Sequence, residues 1–205
     1  MLSFLSYLEE QTKDGGGLTI FDIDDTLFHT TAKVAVKKDG KIVRELSNQE
    51  FNDYKLKPGE EFDFGQFKSA KKFREESVPI DRMMEKAKAI LKNVQKKPNS
   101  KVIIVTARDD FDDKEVFLDT FRKYGFDIDK VRVERAGKIR GDYIPALKKV
   151  IIIHNYLKAG NFSRVRLFDD SMTNLKEFLK LQKTFPNVEF QAYFAKSDGS
   201  IKVVR

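Results

Sequence analysis

Apolar positions in this chain follow two rhythms. Leu18 to Ile23 is a short, nearly continuous apolar run of the kind found in strands buried on both faces. Comparable runs recur at 101–107 (KVIIVTA), 130–135 (KVRVER), 164–170 (RVRLFDD) and 187–195 (NVEFQAYFA). Between them the spacing becomes helical. Residues 113–124 set Val116, Phe117 and Phe121 on one face and stop at Gly125, a residue suited to closing a helix. Residues 145–157 and 173–183 complete the set. Strands alternating with helices predict an α/β fold, a doubly wound, Rossmann-like parallel sheet of about five strands with helices on both faces.

One stretch breaks the rhythm. The first two strands are separated by about 70 residues, where a crossover normally needs a dozen or so. Its first part, AKVAVKKDGKIVREL (32–46), alternates around Asp39-Gly40 and predicts a β-hairpin with a primed turn. Its last part, PIDRMMEKAKAILKNV (79–94), is an amphipathic helix that supplies the crossover. Residues 47–78 mix aromatics with charge and follow no clean period. The expectation is a single domain over 1–205, with a core of 15–28 and 98–205 and a flap with a small insertion over 29–97. Gly15-Gly16-Gly17 reads as a flexible joint, and the residues before it as a short amphipathic helix rather than an export signal.

With 205 residues and 18 Phe, the chain is long and apolar enough for a substantial core. It has no Cys, which excludes disulfides and thiolate metal sites. Nothing in it approaches the length of a membrane span, so a soluble cytoplasmic protein is expected. The net charge of +7 is unevenly spread: the segment up to Phe28 is acidic and the rest basic. A basic surround suits an anionic ligand.

The chemistry starts from TIFDIDDTLF (19–28), where three carboxylates crowd within four positions behind an apolar run. Like charges so close resist joint ionisation unless a cation joins them. In open α/β sheets ligands bind beyond the carboxyl ends of the strands. That edge brings together Asp22 and Asp24 from the first strand, Thr106 from the second, and Asp169 and Asp170 from the fourth. Four carboxylates and a hydroxyl make a hard-oxygen site for Mg²⁺, with a phosphate oxygen as a further ligand. Asp22 is then placed to attack phosphorus, and Asp24 to protonate the departing oxygen and deprotonate water. Thr106, the backbone of Ala107 and a lysine would bind the phosphoryl oxygens. Asp25 is assigned to turning the chain. Arg108, Asp109 and Asp110 border the site, as loop pins or substrate contacts. His29 and His154 are too few and too isolated for zinc, and His154 reads as a packed helix residue.

The motifs DIDDT (22–26), VIIVTA (102–107) and RLFDDS (166–171) resemble, in that order, those of the haloacid dehalogenase-like (HAD) superfamily of phosphohydrolases. The resemblance implies Asp22 as nucleophile and metal ligand, and Asp24 as general acid/base whose carbonyl also binds Mg²⁺. It further implies Thr106 on the phosphate, Asp169 on the metal and Asp170 beside it. The family's phosphate-binding lysine has three candidates, Lys138, Lys148 and Lys149; its usual place near the start of the helix before the acidic strand favours Lys148, with Lys149 close behind. The hairpin resembles the flap that follows the family's first motif, and its Lys37-Lys38 tip is expected to close over substrate. An acid at position 24 sets the pattern apart from the dehalogenating branch.

The expected function is Mg²⁺-dependent hydrolysis of a phosphomonoester through an aspartyl phosphate, the substrate being a nucleotide or another small phosphometabolite. An alternative is a 3′-phosphatase acting on DNA or RNA ends, resembling the phosphatase domain of polynucleotide kinase. Lys-rich stretches 68–74 and 92–101, interleaved with Phe67, Phe73 and Tyr54, would meet a nucleic-acid backbone and bases. A protein-binding module without turnover is a third reading, opposed by the intact acids.

Overall fold

The computed structural model describes residues 15–47, 50–51 and 54–205, and the expected N-terminal helix lies outside them. Strand β1 (Gly16–Phe21) is the centre of a six-stranded sheet. It pairs in parallel with β7 (Lys101–Thr106) on one side and with β9 (Phe162–Asp169) on the other. β8 (Arg132–Arg135) extends the sheet beyond β7, and β10 (Glu189–Ala195) beyond β9. These are the five expected strands. A sixth, β11 (Ile201–Val204), runs antiparallel along β10 at the edge. The chain winds outward from β1 in both directions, so a crevice opens between the carboxyl ends of β1 and β9.

Period two along β1 builds two separate cores. Leu18 and Ile20 face one side, with Ile103, Val105, Val165 and Leu167. There they meet Ile153 and Leu157 of helix α4 (Pro145–Ala159) and Leu175 and Phe178 of α5 (Met172–Lys180). Phe21 faces the other side, stacked on Phe168 with ring centroids 4.8 Å apart. That layer is closed by Met83, Met84, Ala87 and Leu91 of α2 (Asp81–Val94) and by Phe117 and Phe121 of α3 (Lys114–Lys123). Asp113 caps α3 by accepting the N–H of Val116 at 3.0 Å.

The glycine run is not a joint. Gly16 already belongs to β1, and a Cβ there would collide with the carbonyl oxygen of Asn99. Glycine is required because two backbones touch at the start of the strand.

The insertion leaves the sheet through β2 (Phe28–His29), which pairs with β6 (Val78–Pro79) as the chain returns. Between them the hairpin β3 (Val34–Lys38) and β4 (Lys41–Leu46) forms as expected. Asp39 and Gly40 both take positive φ, 50° and 75°, the primed geometry that matches strand twist. The aperiodic stretch adds a third strand, β5 (Glu60–Asp63), on the free edge of β3. A helical turn at Gly65–Lys68 and helix α1 (Ala70–Glu76) lead back to the core. The insertion has its own small apolar cluster of Val34, Val36, Leu46 and Phe67. Among the described residues no helix is long and apolar enough to cross a membrane.

Phe28 stands where insertion and core meet, fully buried, with its ring edge-on to Phe73 at 5.2 Å and to Phe121 at 5.1 Å. Replacing Phe28 by Ala removes both contacts and leaves a cavity. The expected loss is about 3–5 kcal/mol, measured by denaturant unfolding.

Candidate active site

The acids gather where β1 and β9 end. Asp22 continues the ladder one residue past β1, donating its N–H to the Phe168 carbonyl at 3.0 Å. Beyond it the chain winds tightly, with the N–H groups of Leu27 and Phe28 both on the Ile23 carbonyl. Asp25 sits at the bend with φ of 53°, in keeping with a turning role. One carboxylate oxygen from each of Asp22, Asp169 and Asp170 lies within 4.8 Å of the other two.

Lys149 stands among them. Its ammonium is 2.8 Å from Asp22 Oδ1 and 2.8 Å from Asp169 Oδ2, and its side chain is almost wholly buried. The family resemblance favoured Lys148, with Lys149 close behind; Lys148 is half-buried on the wall of the adjoining cavity. Lys138, the third candidate, pairs with Asp110, as does Arg135. The reason is helical phase: Lys149 falls on the buried stripe of Ala146, Ile153 and Leu157, and Lys148 is turned about 100° away.

Asp169 is held on several sides. Its Oδ1 accepts the Ser171 N–H at 2.9 Å and the Asn174 side-chain amide at 2.8 Å, while Oδ2 accepts from Lys149. Asn174 was not foreseen from sequence; it is an ordinary residue in the first turn of α5, and only its return toward the strand end marks it. Asp24 behaves differently from its neighbours. Its carboxylate makes a two-pronged pair with the Arg108 guanidinium, at 2.9 and 2.6 Å, and is not part of the acid cluster. This corrects the expectation of four carboxylates at one site: the Asp24 side chain is turned to Arg108.

Arg108 is the loop pin among the residues that border the site. It is 4 % exposed, lies over the rings of Phe67, Phe73 and Phe111 at 4.9, 4.8 and 5.5 Å, and donates to the Phe67 carbonyl at 3.0 Å. Thr106 ends β7 fully buried, its hydroxyl oxygen accepting the Arg108 N–H at 3.1 Å, and Ala107 and Asp109 line the cavity. His154 packs its ring 5.3 Å from Phe185, and His29 is exposed beside Asp25.

Burial pushes the Asp22 carboxyl up to about 7, opposed by Lys149 and aided by Asp169 and Asp24. Burial likewise lifts Asp170 to about 9, with Asp169 and Asp22 adding to the rise. Burial acts on Asp24 too, but the Arg108 guanidinium outweighs it and holds that acid below its ordinary value. Were Asp22, Asp169 and Asp170 all ionised, the one ammonium would leave two negative charges in a buried site, which is why burial favours the protonated forms of Asp22 and Asp170. The Oδ1 atom of Asp22, though close to Lys149, receives no well-directed hydrogen bond. A hard divalent cation fits this donor set of three close carboxylates, whose mutual repulsion it would offset.

The site borders a cavity of about 750 Å³. Asp22, Asp24, Ala107, Lys148, Lys149, Asp170 and Asn174 line its core side. Its other side is formed by the insertion. The hairpin contributes Val34, but the Lys37-Lys38 tip, expected as the closing element, does not reach it; Lys37 is paired with Asp63 of β5.

Two expectations follow. Replacing Arg108 by Met strands the buried Asp24 carboxylate and should cost about 3–5 kcal/mol in denaturant unfolding. The second concerns pH. Asp22 and Asp170 bind protons more tightly folded than unfolded, so in EDTA stability should fall as pH rises from their ordinary 3.8 through about 7 and about 9. Melting curves at pH 5, 7 and 9 should show Tm dropping in EDTA and the drop largely removed by Mg²⁺; a flat EDTA series would contradict an excess of buried negative charge.

No protein-family model matches the sequence, and no curated protein matches it. Among solved structures the chain is similar to the HAD domain of the effector protein Lem4 from Legionella pneumophila, with a TM-score of 0.51 at 11% identity over 89% of this chain and 87% of that one. An inactive mutant of the same domain aligns with a TM-score of 0.50 at 12% identity over the same shares. Together with the strand order and the strand-end acids, this likeness establishes that the chain has a HAD-like fold.

Proposed function

We propose that this protein is a phosphomonoester hydrolase that works through an aspartyl phosphate on Asp22 with Mg²⁺ as cofactor. The observation that carries the reading is the buried cluster of Asp22, Asp169 and Asp170 with Lys149 at its centre, opening on a cavity at the switch point of the sheet. Asp22, Asp169, Asp170 and the backbone carbonyl of Asp24 would hold the metal. When bound, it supplies positive charge that keeps the acids ionised and offsets charge on the phosphoryl group.

The chain's own residues account for the rest. Lys149, with the Thr106 hydroxyl and the backbone N–H of Ala107, binds phosphoryl oxygens and favours in-line approach of an Asp22 oxygen to phosphorus. The new bond from Asp22 to phosphorus forms as the bond to the leaving oxygen breaks, and Asp24 supplies the proton that oxygen takes up. Water then attacks the aspartyl phosphate, Asp24 recovers a proton from it, and the bond to Asp22 breaks to release inorganic phosphate. Arg108 positions Asp24 for both transfers. Its pairing favours the ionised acid, so Asp24 has to loosen from Arg108 to carry its proton.

A small substrate is the better-supported class. The basic stretch 68–74, a candidate path for nucleic acid, spends much of its charge on neighbours: Lys71 on Glu75, Lys72 on Glu76 and Arg74 on Asp119.

Purified protein should hydrolyse 4-nitrophenyl phosphate with Mg²⁺ and lose the activity in EDTA. Asp22→Asn should lower turnover by about a thousand-fold or more, since the covalent route is removed. Acid quenching with ³²P-labelled substrate should trap label on the wild-type protein and not on Asp22→Asn. Undiminished turnover by that variant would refute the mechanism.

A further inference from the structure

The cavity has two kinds of wall, and the mechanism uses one. Opposite the acids the insertion presents Phe51, Phe62, Phe64 and Phe67. Their rings touch in series: Phe51 meets Phe62 at 4.9 Å and Phe64 at 5.5 Å, both edge to face, and Phe64 meets Phe67 at 6.4 Å. The series begins beside the chemistry, because the Arg108 guanidinium that grips Asp24 lies over Phe67. From the acid that protonates the leaving oxygen, a path of aromatic surface therefore runs outward through Phe67 and Phe64 to Phe51 and Phe62.

Phe64 is the telling member. Its neighbours bury most of their surface, but Phe64 leaves 43 % of its own in water on the wall of a cavity. Phe51, Phe62 and Phe67 belong to or pack on the insertion's small apolar cluster, and Phe64 lies outside it. Such a ring offers a face to a flat apolar partner, and stacking an aromatic base on an aromatic side chain is favourable for any base. The charged groups on this wall are Glu61, Asp63 and Lys68. Asp63 is taken by Lys37 and by the Gly65 N–H, whereas the exposed Glu61 carboxylate feels Lys37 only through charge and accepts no side-chain hydrogen bond among the described residues. A carboxylate on the same wall as an exposed ring suits the amino edge of a nucleobase.

We propose that the wall of Phe51, Phe62, Phe64 and Phe67 is a leaving-group subsite for a planar aromatic ring, and that the substrate class is the nucleoside monophosphates, with the base stacked on Phe64 and its amino edge toward Glu61. The proposal rests on the phosphatase reading above and adds the chemistry of the group released. It ranks nucleotides above sugar phosphates, since a planar base covers more of the aromatic wall than a sugar ring does.

Ribose 5-phosphate isolates the base, being a nucleoside 5′-monophosphate without it. With wild-type protein, kcat/KM for cytidine or adenosine 5′-monophosphate should exceed that for ribose 5-phosphate about ten-fold or more. Phe64→Ala should bring the ratio down toward one, mainly through KM, and Phe64→Trp should restore it. Binding to the Asp22→Asn variant, measured by calorimetry, should show the same preference without turnover. That arm separates the two readings: preferential nucleotide binding without hydrolysis by the wild type would sink the phosphatase reading and leave the subsite standing. Equal constants for nucleotide and ribose 5-phosphate would overturn the subsite. Phenyl phosphate serves as the second source of a flat ring; if it matches the nucleotides and Glu61→Gln changes nothing, the nucleobase assignment is wrong. Preference for a 3′-phosphorylated oligonucleotide over every mononucleotide would also overturn it.

Discussion

A buried lysine between two buried carboxylates is the interaction on which this molecule turns. Burying any one of Asp22, Asp169 or Lys149 alone would cost several kcal/mol, and the three are tolerable only because each neutralises another. Their meeting demands that β1, β9 and α4 be locked in register, for the groups come from three separate parts of the chain. The two apolar layers that clamp β1 supply that rigidity. The core thus holds together an arrangement of charge that would otherwise fly apart.

How much of this was legible follows from what each element has to satisfy. β1, β7 and β9 are covered on both faces, so they must be apolar throughout, and such runs stand out in a sequence. β5 reads EEFD and is stabilised by pairing with a distant hairpin, a relation no local pattern encodes. β11 is four residues at an edge, half exposed, too brief to carry a period. Its Asp198-Gly199 turn was the available sign, with Gly199 at φ of 75°.

The site divides along the same line. Asp22 and Asp169 were legible because each ends an apolar strand, so position alone aims them at the crevice. Lys149 was partly legible: the apolar stripe of α4 runs through it, and a charge on such a stripe needs a buried partner. Arg108 gave no such sign, since its partner Asp24 is 84 positions away and its three phenyl neighbours come from two different segments. Asn174 was hidden by a sufficient ordinary explanation, a polar residue near a capped helix start.

The division of the cavity between two segments carries an evolutionary consequence. The acids and the lysine lie on the sheet and its helices, whereas the opposing aromatic face lies on an excursion that departs and rejoins through a two-stranded ribbon of two residues each. Phe51, Phe62, Phe64 and Phe67 are therefore under little obligation to the sheet's packing. Substitution can redraw that face while leaving the acids and the lysine in place, with Arg108 as the joint that constrains how far the redrawing goes.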